Sequence, residues 1–254
     1  MRAATIRLWL LHLVANAVVI GGVYLWLGIG DATGLQLTAT AVFGLLLIAF
    51  TVWLHGIVFA HFREPELPLS NAYGTALRRL PPLILLTLVV LALYWLLGWL
   101  FDQYGYSRSV AVASWLTLHL RRPVRPATIL WIATAKLRVW EWLIIPVIFL
   151  PIAAGVTERG WRGFGGKSWA MLRHWWFWVL CPVLLLLAIY VPWKLINWVP
   201  YQGKLGVEMT SFLLRWLIGW LLFVTAWFAL VALACGRRLW RGTSNSGGVQ
   251  DLHG

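Results

Sequence analysis

The chain has 254 residues, of which 61% are hydrophobic and 11% are charged, and its mean hydropathy is +0.79. Soluble domains carry about 25% charged residues, so this composition excludes a soluble fold and predicts an all-α polytopic membrane protein. The net charge of +13 does not indicate nucleic-acid binding, because the basic residues stand at the ends of apolar runs rather than in a stripe on a polar surface.

Two apolar runs open the chain, at residues 8–28 and 37–60. The first is too long for the core of a signal peptide, so it predicts an uncleaved span. The connecting residues contain Gly, Asp and Thr but no basic residue, which is typical of a tight turn. The two runs therefore predict an antiparallel hairpin of spans, with Gly21 and Gly22 allowing close helix approach.

A third uncharged run covers residues 81–101, begins with Pro81 and Pro82 and ends near Trp95 and Trp99. Proline suits the first turn of a helix, and tryptophan favours the lipid headgroup level. Residues 175–193 and 216–234 are further clear spans. Between them, residues 104–120 and 139–156 are apolar but short or broken by proline, and residues 126–138 are typical of an interfacial helix.

The distribution of basic residues distinguishes the topologies of this middle region. If residues 104–120 cross and residues 139–156 dip in and return, 17 of the 21 basic residues lie inside; the converse arrangement places 12 inside and nine outside. The excess of basic residues in cytoplasmic loops favours the first arrangement. If both segments cross, the chain has seven spans.

The predicted fold is thus about six transmembrane helices plus one or two re-entrant or interfacial helices. We expect residues 1–241 to form one helical membrane domain and residues 242–254 to be a disordered tail. Arginine outnumbers lysine 17 to 4, which is typical of GC-rich bacteria. We expect the cytoplasmic (inner) membrane of a bacterium, with both termini in the cytoplasm and with anionic lipid headgroups among the contacts.

A four-residue unit recurs before three apolar runs that contain proline, at residues 75–78, 135–138 and 170–173. Each unit begins with a small residue and ends with leucine and arginine. We interpret it as an interfacial helix whose arginine lies at the phosphates. In this plan, residues 71–236 resemble uncharacterised bacterial multi-span families, including the membrane-anchor domain of some glycerophosphodiester phosphodiesterases. The resemblance implies membrane anchoring and transfers no catalytic residue.

Few polar residues fall at membrane depth. His12 and His55 are expected at one depth on neighbouring helices, but the sequence does not determine whether they face each other. They could ligate a metal or haem iron, or simply form hydrogen bonds at the interface. Because bulky residues flank both, we expect no haem. Arg138 and Glu141 are spaced for an ion pair on a helix.

No catalytic, cofactor-binding or metal-binding motif is recognisable in the sequence. The leading hypothesis for function is a non-enzymatic scaffold or accessory component with a membrane protein partner. The alternative is a small transporter or lipid-handling permease, with a pathway at residues 139–156 and Glu141. A membrane-embedded enzyme is the third hypothesis.

Overall fold

The computed structural model describes residues 3–30, 32–198 and 205–236. Its α-helices are α1 (Ala3–Leu27), α2 (Gly34–Arg63), α3 (Leu69–Arg78), α4 (Leu80–Leu120), α5 (Pro126–Val139), α6 (Ile145–Arg159), α7 (Trp175–Leu185), α8 (Val191–Asn197) and α9 (Leu205–Ala234). Two π-helical turns, Trp140–Ile144 and Leu186–Tyr190, join α5 to α6 and α7 to α8. The 3-10 segments Gly160–Phe164 and Gly166–Arg173 follow α6.

Six helical stretches in the described residues are long and apolar enough to span a membrane: Ala3–Leu27, Gly34–Arg63, Leu80–Leu120, Pro126–Phe164, Trp175–Asn197 and Leu205–Ala234. The predicted all-α polytopic fold is confirmed. The tail predicted at residues 242–254 lies outside the described residues.

Helices α1 and α2 form the predicted antiparallel hairpin. Thr33 caps α2 in a capping box, because its hydroxyl accepts from the Gln36 amide while the Gln36 side chain accepts from the Thr33 amide. Trp26 donates to a backbone carbonyl of α2 at 2.8 Å. A Cβ at Gly22 would lie 2.7 Å from the Leu47 side chain, so this glycine allows the close approach of the two helices.

The six long stretches alternate in direction, and contacts at their ends define two sides of the bundle. On the terminal side, where α1 begins and α9 ends, Thr5 is 3.0 Å from His61 and Arg63 is 3.2 Å from Glu158. These contacts bring together the start of α1 and the ends of α2 and α6. The other side carries the end of α1, the start of α2 and the turn between α4 and α5. We name it the hairpin side after the hairpin that α4 and α5 form.

Helix α4 continues without a turn from Leu80 to Leu120, which contradicts the favoured arrangement in which residues 104–120 crossed separately. Its 41 residues span about 61 Å, twice the ~30 Å thickness of the hydrocarbon layer. The helix ends at Arg121, whose φ of 50° is left-handed, and α5 returns antiparallel beside it. Residues 139–156 then pass through the bundle instead of dipping back.

The reason that the charge argument failed lies in where the basic residues stand. Five of the basic residues, from Arg121 to Arg138, belong to the part of α4 and α5 that extends beyond the bundle. The sequence count for this arrangement is 12 basic residues inside and nine outside, so the bias toward cytoplasmic lysine and arginine is weak in this fold.

The prolines at the helix junctions do not turn the chain back because each follows a π-helical turn. Pro146 comes two residues after the turn Trp140–Ile144, and Pro192 two residues after Leu186–Tyr190. Proline lacks the amide hydrogen and its ring clashes with the carbonyl four residues earlier. A wider turn moves that carbonyl away, so the helix continues past the proline in the same direction.

Tryptophan residues mark the levels of the two bilayer surfaces. On the hairpin side, Trp95 stacks on Trp99, Trp142 contacts Trp193, and Arg138 lies 5.7 Å from the Trp142 ring. On the terminal side, exposed tryptophans occur at residues 161, 169, 175 and 178. Residue 142 and the end of α6 at residue 159 are separated by about 25 Å of helix, close to the hydrocarbon thickness. Residues 102–138, named the projecting hairpin, extend beyond the tryptophan level of the hairpin side.

The three recurring units have different structures. Residues 75–78 end the short helix α3, which packs Ala72 and Ala76 against α2 on the terminal side. Residues 170–173 lie in a 3-10 segment before α7. Residues 135–138 lie inside the continuous path from α5 to α6, on the hairpin side. The interpretation as an interfacial element before a span thus fits residues 75–78 and 170–173 better than residues 135–138.

Candidate functional site

The predicted histidine pair is brought into direct contact inside the bundle. His12 Nε2 and His55 Nδ1 are 3.2 Å apart, and one ring donates to the other. The rings meet edge to face, with centroids 4.9 Å apart, and His12 is completely buried. The equal depth expected from the loop connectivity is correct, and the structure decides the helix rotation that the sequence left open.

Helix α9 packs against the histidine pair that α1 and α2 form. Phe228 packs edge-on against His12 and Trp227 against His55, with centroids 5.5 and 4.8 Å apart respectively. One turn further along α1, Asn16 donates to the His12 carbonyl at 2.8 Å. Nδ1 of His12 and Nε1 of Trp227 are buried and have no hydrogen-bond partner among the described residues. The pair is thus enclosed by aromatic rings rather than by charged groups.

The geometry of the pair bears on the haem alternative. Iron held between two axial imidazoles needs a bond of about 2 Å to each nitrogen, on opposite faces of a porphyrin. That requires about 4 Å between the nitrogens and a planar gap between the rings. The 3.2 Å separation and the edge-to-face contact leave no such gap. A hydrogen bond between the two rings accounts for the arrangement.

A second polar contact lies about two turns closer to the terminal side, where Thr5 Oγ1 is 3.0 Å from His61 Nε2. Both residues are buried, and the fully buried Leu8 and Val58 separate this contact from the histidine pair. The sequence analysis did not connect Thr5 with His61. The spacing in the sequence indicates this contact. Thr5 precedes His12 by seven residues and His61 follows His55 by six on the antiparallel helix, so Thr5 and His61 lie at nearly the same depth.

The predicted ion pair between Arg138 and Glu141 is present, with Arg138 Nη1 2.8 Å from Glu141 Oε2. The Glu141 side chain is 12% exposed, and the Tyr94 hydroxyl donates to the Glu141 carbonyl at 2.5 Å. These groups lie at the tryptophan level of the hairpin side, where the chain passes from α5 through the π-helical turn. The contacts favour a structural role at the bilayer boundary over a transport pathway.

The terminal side carries a polar cluster that the sequence did not predict. Arg63 pairs with Glu158, and Arg159 donates to Ser168 Oγ at 2.7 Å. Ser168 in turn donates to the Gly163 carbonyl. These residues border a cavity of about 330 Å³ that also contacts Cys235. Because α2, α6 and α9 all end here, the arginines lie where positive charge offsets the negative ends of the helix dipoles.

A cavity of similar volume, about 330 Å³, lies midway through the bundle between α1, α8 and α9. We name it the midplane cavity. Its wall includes Asn16, Ile20, Pro192, Trp216, Trp220 and Phe223. Asn16 and the buried Gly219 lie near the middle of α1 and α9, and Pro192, next to Trp193, extends the cavity toward the tryptophan level of the hairpin side. In the sequence, Asn16 stands out only as a polar residue within an apolar run.

The projecting hairpin is closed by small residues and side-chain hydrogen bonds. Ser109 and Ala113 are buried between α4 and α5. Thr117 Oγ1 donates to the Ala113 carbonyl at 2.8 Å and accepts from the Val124 amide at 3.0 Å, which ties the turn to the helix. Large apolar residues on its outer surface are more than half exposed, namely Tyr106, Trp115, Leu118, Leu120, Trp131 and Ile132.

Among the described residues, no group of three or more His, Cys, Asp or Glu side chains could hold a metal ion. Comparison with protein families, with curated proteins and with solved structures finds no match to this chain. Function must therefore be inferred from the geometry of the bundle, its cavities and its projecting hairpin.

Proposed function

We propose that the protein is a non-enzymatic accessory component of a membrane complex, and that it binds its partner through the projecting hairpin. The observation that carries this proposal is the 41-residue helix α4. Its second half and α5 reach about 28 Å beyond the hydrocarbon layer, at a rise of about 1.5 Å per residue. A bundle that only anchored itself would not need this extension.

The outer surface of the hairpin supports a docking role. Trp115, Leu118 and Trp131 are exposed at a level where lipid tails do not cover them. Contiguous apolar surface exposed to water is rare in proteins that act alone and marks interaction sites. Tryptophan is also enriched among the residues that dominate binding free energy. The apolar surface is therefore best explained by a partner that buries it.

Charge restricts the chemistry of that partner. The projecting hairpin contains six basic residues, at positions 108, 121, 122, 125, 136 and 138, and one acidic residue, Asp102. A net charge of +5 disfavours pairing with a second copy of this chain, since like charges would meet. It favours an acidic protein surface on the same side of the membrane. The partner is thus a protein with an acidic, partly apolar face.

The permease alternative draws less support. Glu141, the residue on which it depended, is paired with Arg138 at the bilayer boundary. The two cavities described above are lined by other residues. The histidine pair is enclosed in aromatic packing and is separated from the terminal side by a layer of fully buried aliphatic residues.

We further propose that the protein resides in the bacterial cytoplasmic membrane, with the terminal side in the cytoplasm and the hairpin outside. In the sequence, 12 of the 21 basic residues stand within residues 2–7, 63–79, 159–173 and 237–241, and the bias toward cytoplasmic lysine and arginine supports this orientation. A cysteine replacing Arg122 should react with a membrane-impermeant reagent on intact cells, whereas one replacing Leu67 should react only after permeabilisation. Native Cys181 and Cys235 are buried, so their background is low. The reverse labelling would contradict this orientation.

Site-specific photocrosslinking tests the docking proposal. A photoreactive residue at Leu118, which is 77% exposed, is expected to form an adduct with one protein through an Asp- and Glu-rich segment identified by mass spectrometry. Combining it with Arg121→Glu and Arg122→Glu should abolish the adduct. A probe at Trp161, exposed on the terminal side, is the control and should not capture that protein.

Three results would contradict the proposal. Adducts formed only with lipid would identify a membrane-binding surface, and adducts formed only with a second copy would identify an oligomer contact. An adduct unchanged by both arginine substitutions would remove the electrostatic argument.

A further inference from the structure

The midplane cavity has the composition of a ligand site rather than of a packing defect. Its volume of about 330 Å³ falls in the range of small-molecule pockets, about 300–1,000 Å³. The wall is apolar and aromatic except for the side-chain amide of Asn16, and it has no acidic or basic side chain among the described residues. Such pockets typically combine apolar walls with a few polar groups that orient the ligand.

Asn16 supplies the polar group. It is 6% exposed, and one amide hydrogen is donated to the His12 carbonyl. Within the described residues, its Oδ1 and its second amide hydrogen have no hydrogen-bond partner. A buried amide left unpaired in lipid costs free energy, so a ligand with a hydrogen-bonding edge is favoured over a plain hydrocarbon chain.

The aromatic wall favours a flat ligand. Trp216 and Trp220 are nearly parallel, at 11° and 5.6 Å between centroids, and Phe223 continues the row at 6.3 Å from Trp220. A flat ligand ring packs against such a row edge-to-face or by offset stacking, which flexible acyl chains cannot match. The absence of charge in the described wall favours a neutral ligand.

The local helix geometry and the position of the opening agree with a binding role. The π-helical turn Leu186–Tyr190 ends two residues before Pro192, which forms part of the wall, and such turns occur frequently at functional sites. Ile20 and Trp216 line the cavity and are also partly exposed at the outer surface of the bundle. At this depth that surface faces lipid, so a ligand would enter from the bilayer.

We propose that the midplane cavity binds a neutral, membrane-soluble molecule with a flat conjugated ring and a hydrogen-bonding edge, the chemistry of a quinone head group. The Asn16 amide binds the polar edge, and the row formed by Trp216, Trp220 and Phe223 packs against the ring. This site is independent of the docking role proposed for the hairpin.

The test uses the full chain in lipid nanodiscs and titration calorimetry, with empty nanodiscs as the blank. The probes are tetramethylbenzoquinone and tetramethylbenzene, which share a ring but differ in the two carbonyl oxygens. The quinone is expected to bind saturably, and the hydrocarbon more weakly. Asn16→Leu should weaken quinone binding about fivefold, the effect of losing one hydrogen bond. Val19 also lines the cavity, and Val19→Phe should abolish binding by filling it.

Asn71→Leu, at an exposed position on the terminal side, is the matched control and should bind like the wild type. Reaction of the buried cysteines with a thiol dye on heating checks that each variant is folded, and Val19→Phe provides a second test if Asn16→Leu is unstable. Equal uptake by empty nanodiscs would overturn the proposal. So would equal binding of the quinone and the hydrocarbon, or unchanged binding in a folded Val19→Phe variant.

Discussion

Gly163 provides a sharp test of how the terminal side is packed. The 3-10 segment Gly160–Phe164 folds back against the end of α6, and Gly163 lies directly on its backbone. A Cβ added at Gly163 would overlap Cα of Val156 and the carbonyl group of Gly155. Gly163→Ala is therefore expected to destabilise the protein by forcing the segment away from the helix.

The magnitude follows from what the new methyl group meets. Overpacking against side chains that can rotate costs about 1–3 kcal/mol. Here the obstacles are backbone atoms of a buried helix, so we expect the upper end, about 3 kcal/mol. For proteins of about this size, each kcal/mol shifts the melting temperature by roughly 2–4 °C. The substitution should thus lower the melting temperature by about 6–12 °C.

Thermal unfolding in detergent, followed with a thiol-reactive dye, measures this effect because both cysteines are buried in the folded protein. Gly166→Ala is the matched control in the same region, since a Cβ there would meet no atom within 4 Å. Its melting temperature should be unchanged or slightly raised. If Gly163→Ala melts within about a degree of the wild type, the proposed close packing is wrong.

Further predictions concern polar contacts inside the bundle. In a double-mutant cycle, His12→Leu and His55→Leu should show a coupling free energy of about 1 kcal/mol, typical of hydrogen bonds between membrane helices; additive effects would mean that the rings do not interact. Glu158→Gln should cost less than about 1 kcal/mol, because the pair with Arg63 is partly exposed, and added salt should reduce the difference. Trp26→Phe, which removes a bond to α2, should cost about 1 kcal/mol; no change in melting temperature would contradict that.

Much of the architecture follows from the sequence alone. Uncharged runs of about 20 residues predict spans because every backbone polar group in lipid must be paired within a helix. The same reasoning placed His12 and His55 at one depth, since they lie at matching distances from a short loop. The spacing of Arg138 and Glu141 likewise predicts their ion pair.

The tertiary structure decided which faces of the helices meet and where each helix ends. Rotation of α1 and α2 about their axes brings His12 onto His55, and only packing against α9 determines that rotation. The sequence did not predict that α4 continues to Leu120. An apolar helix in lipid and an apolar helix packed against a neighbouring helix have the same hydrophobic periodicity. The midplane cavity depends on three helices that are distant in sequence, so no local pattern predicts it.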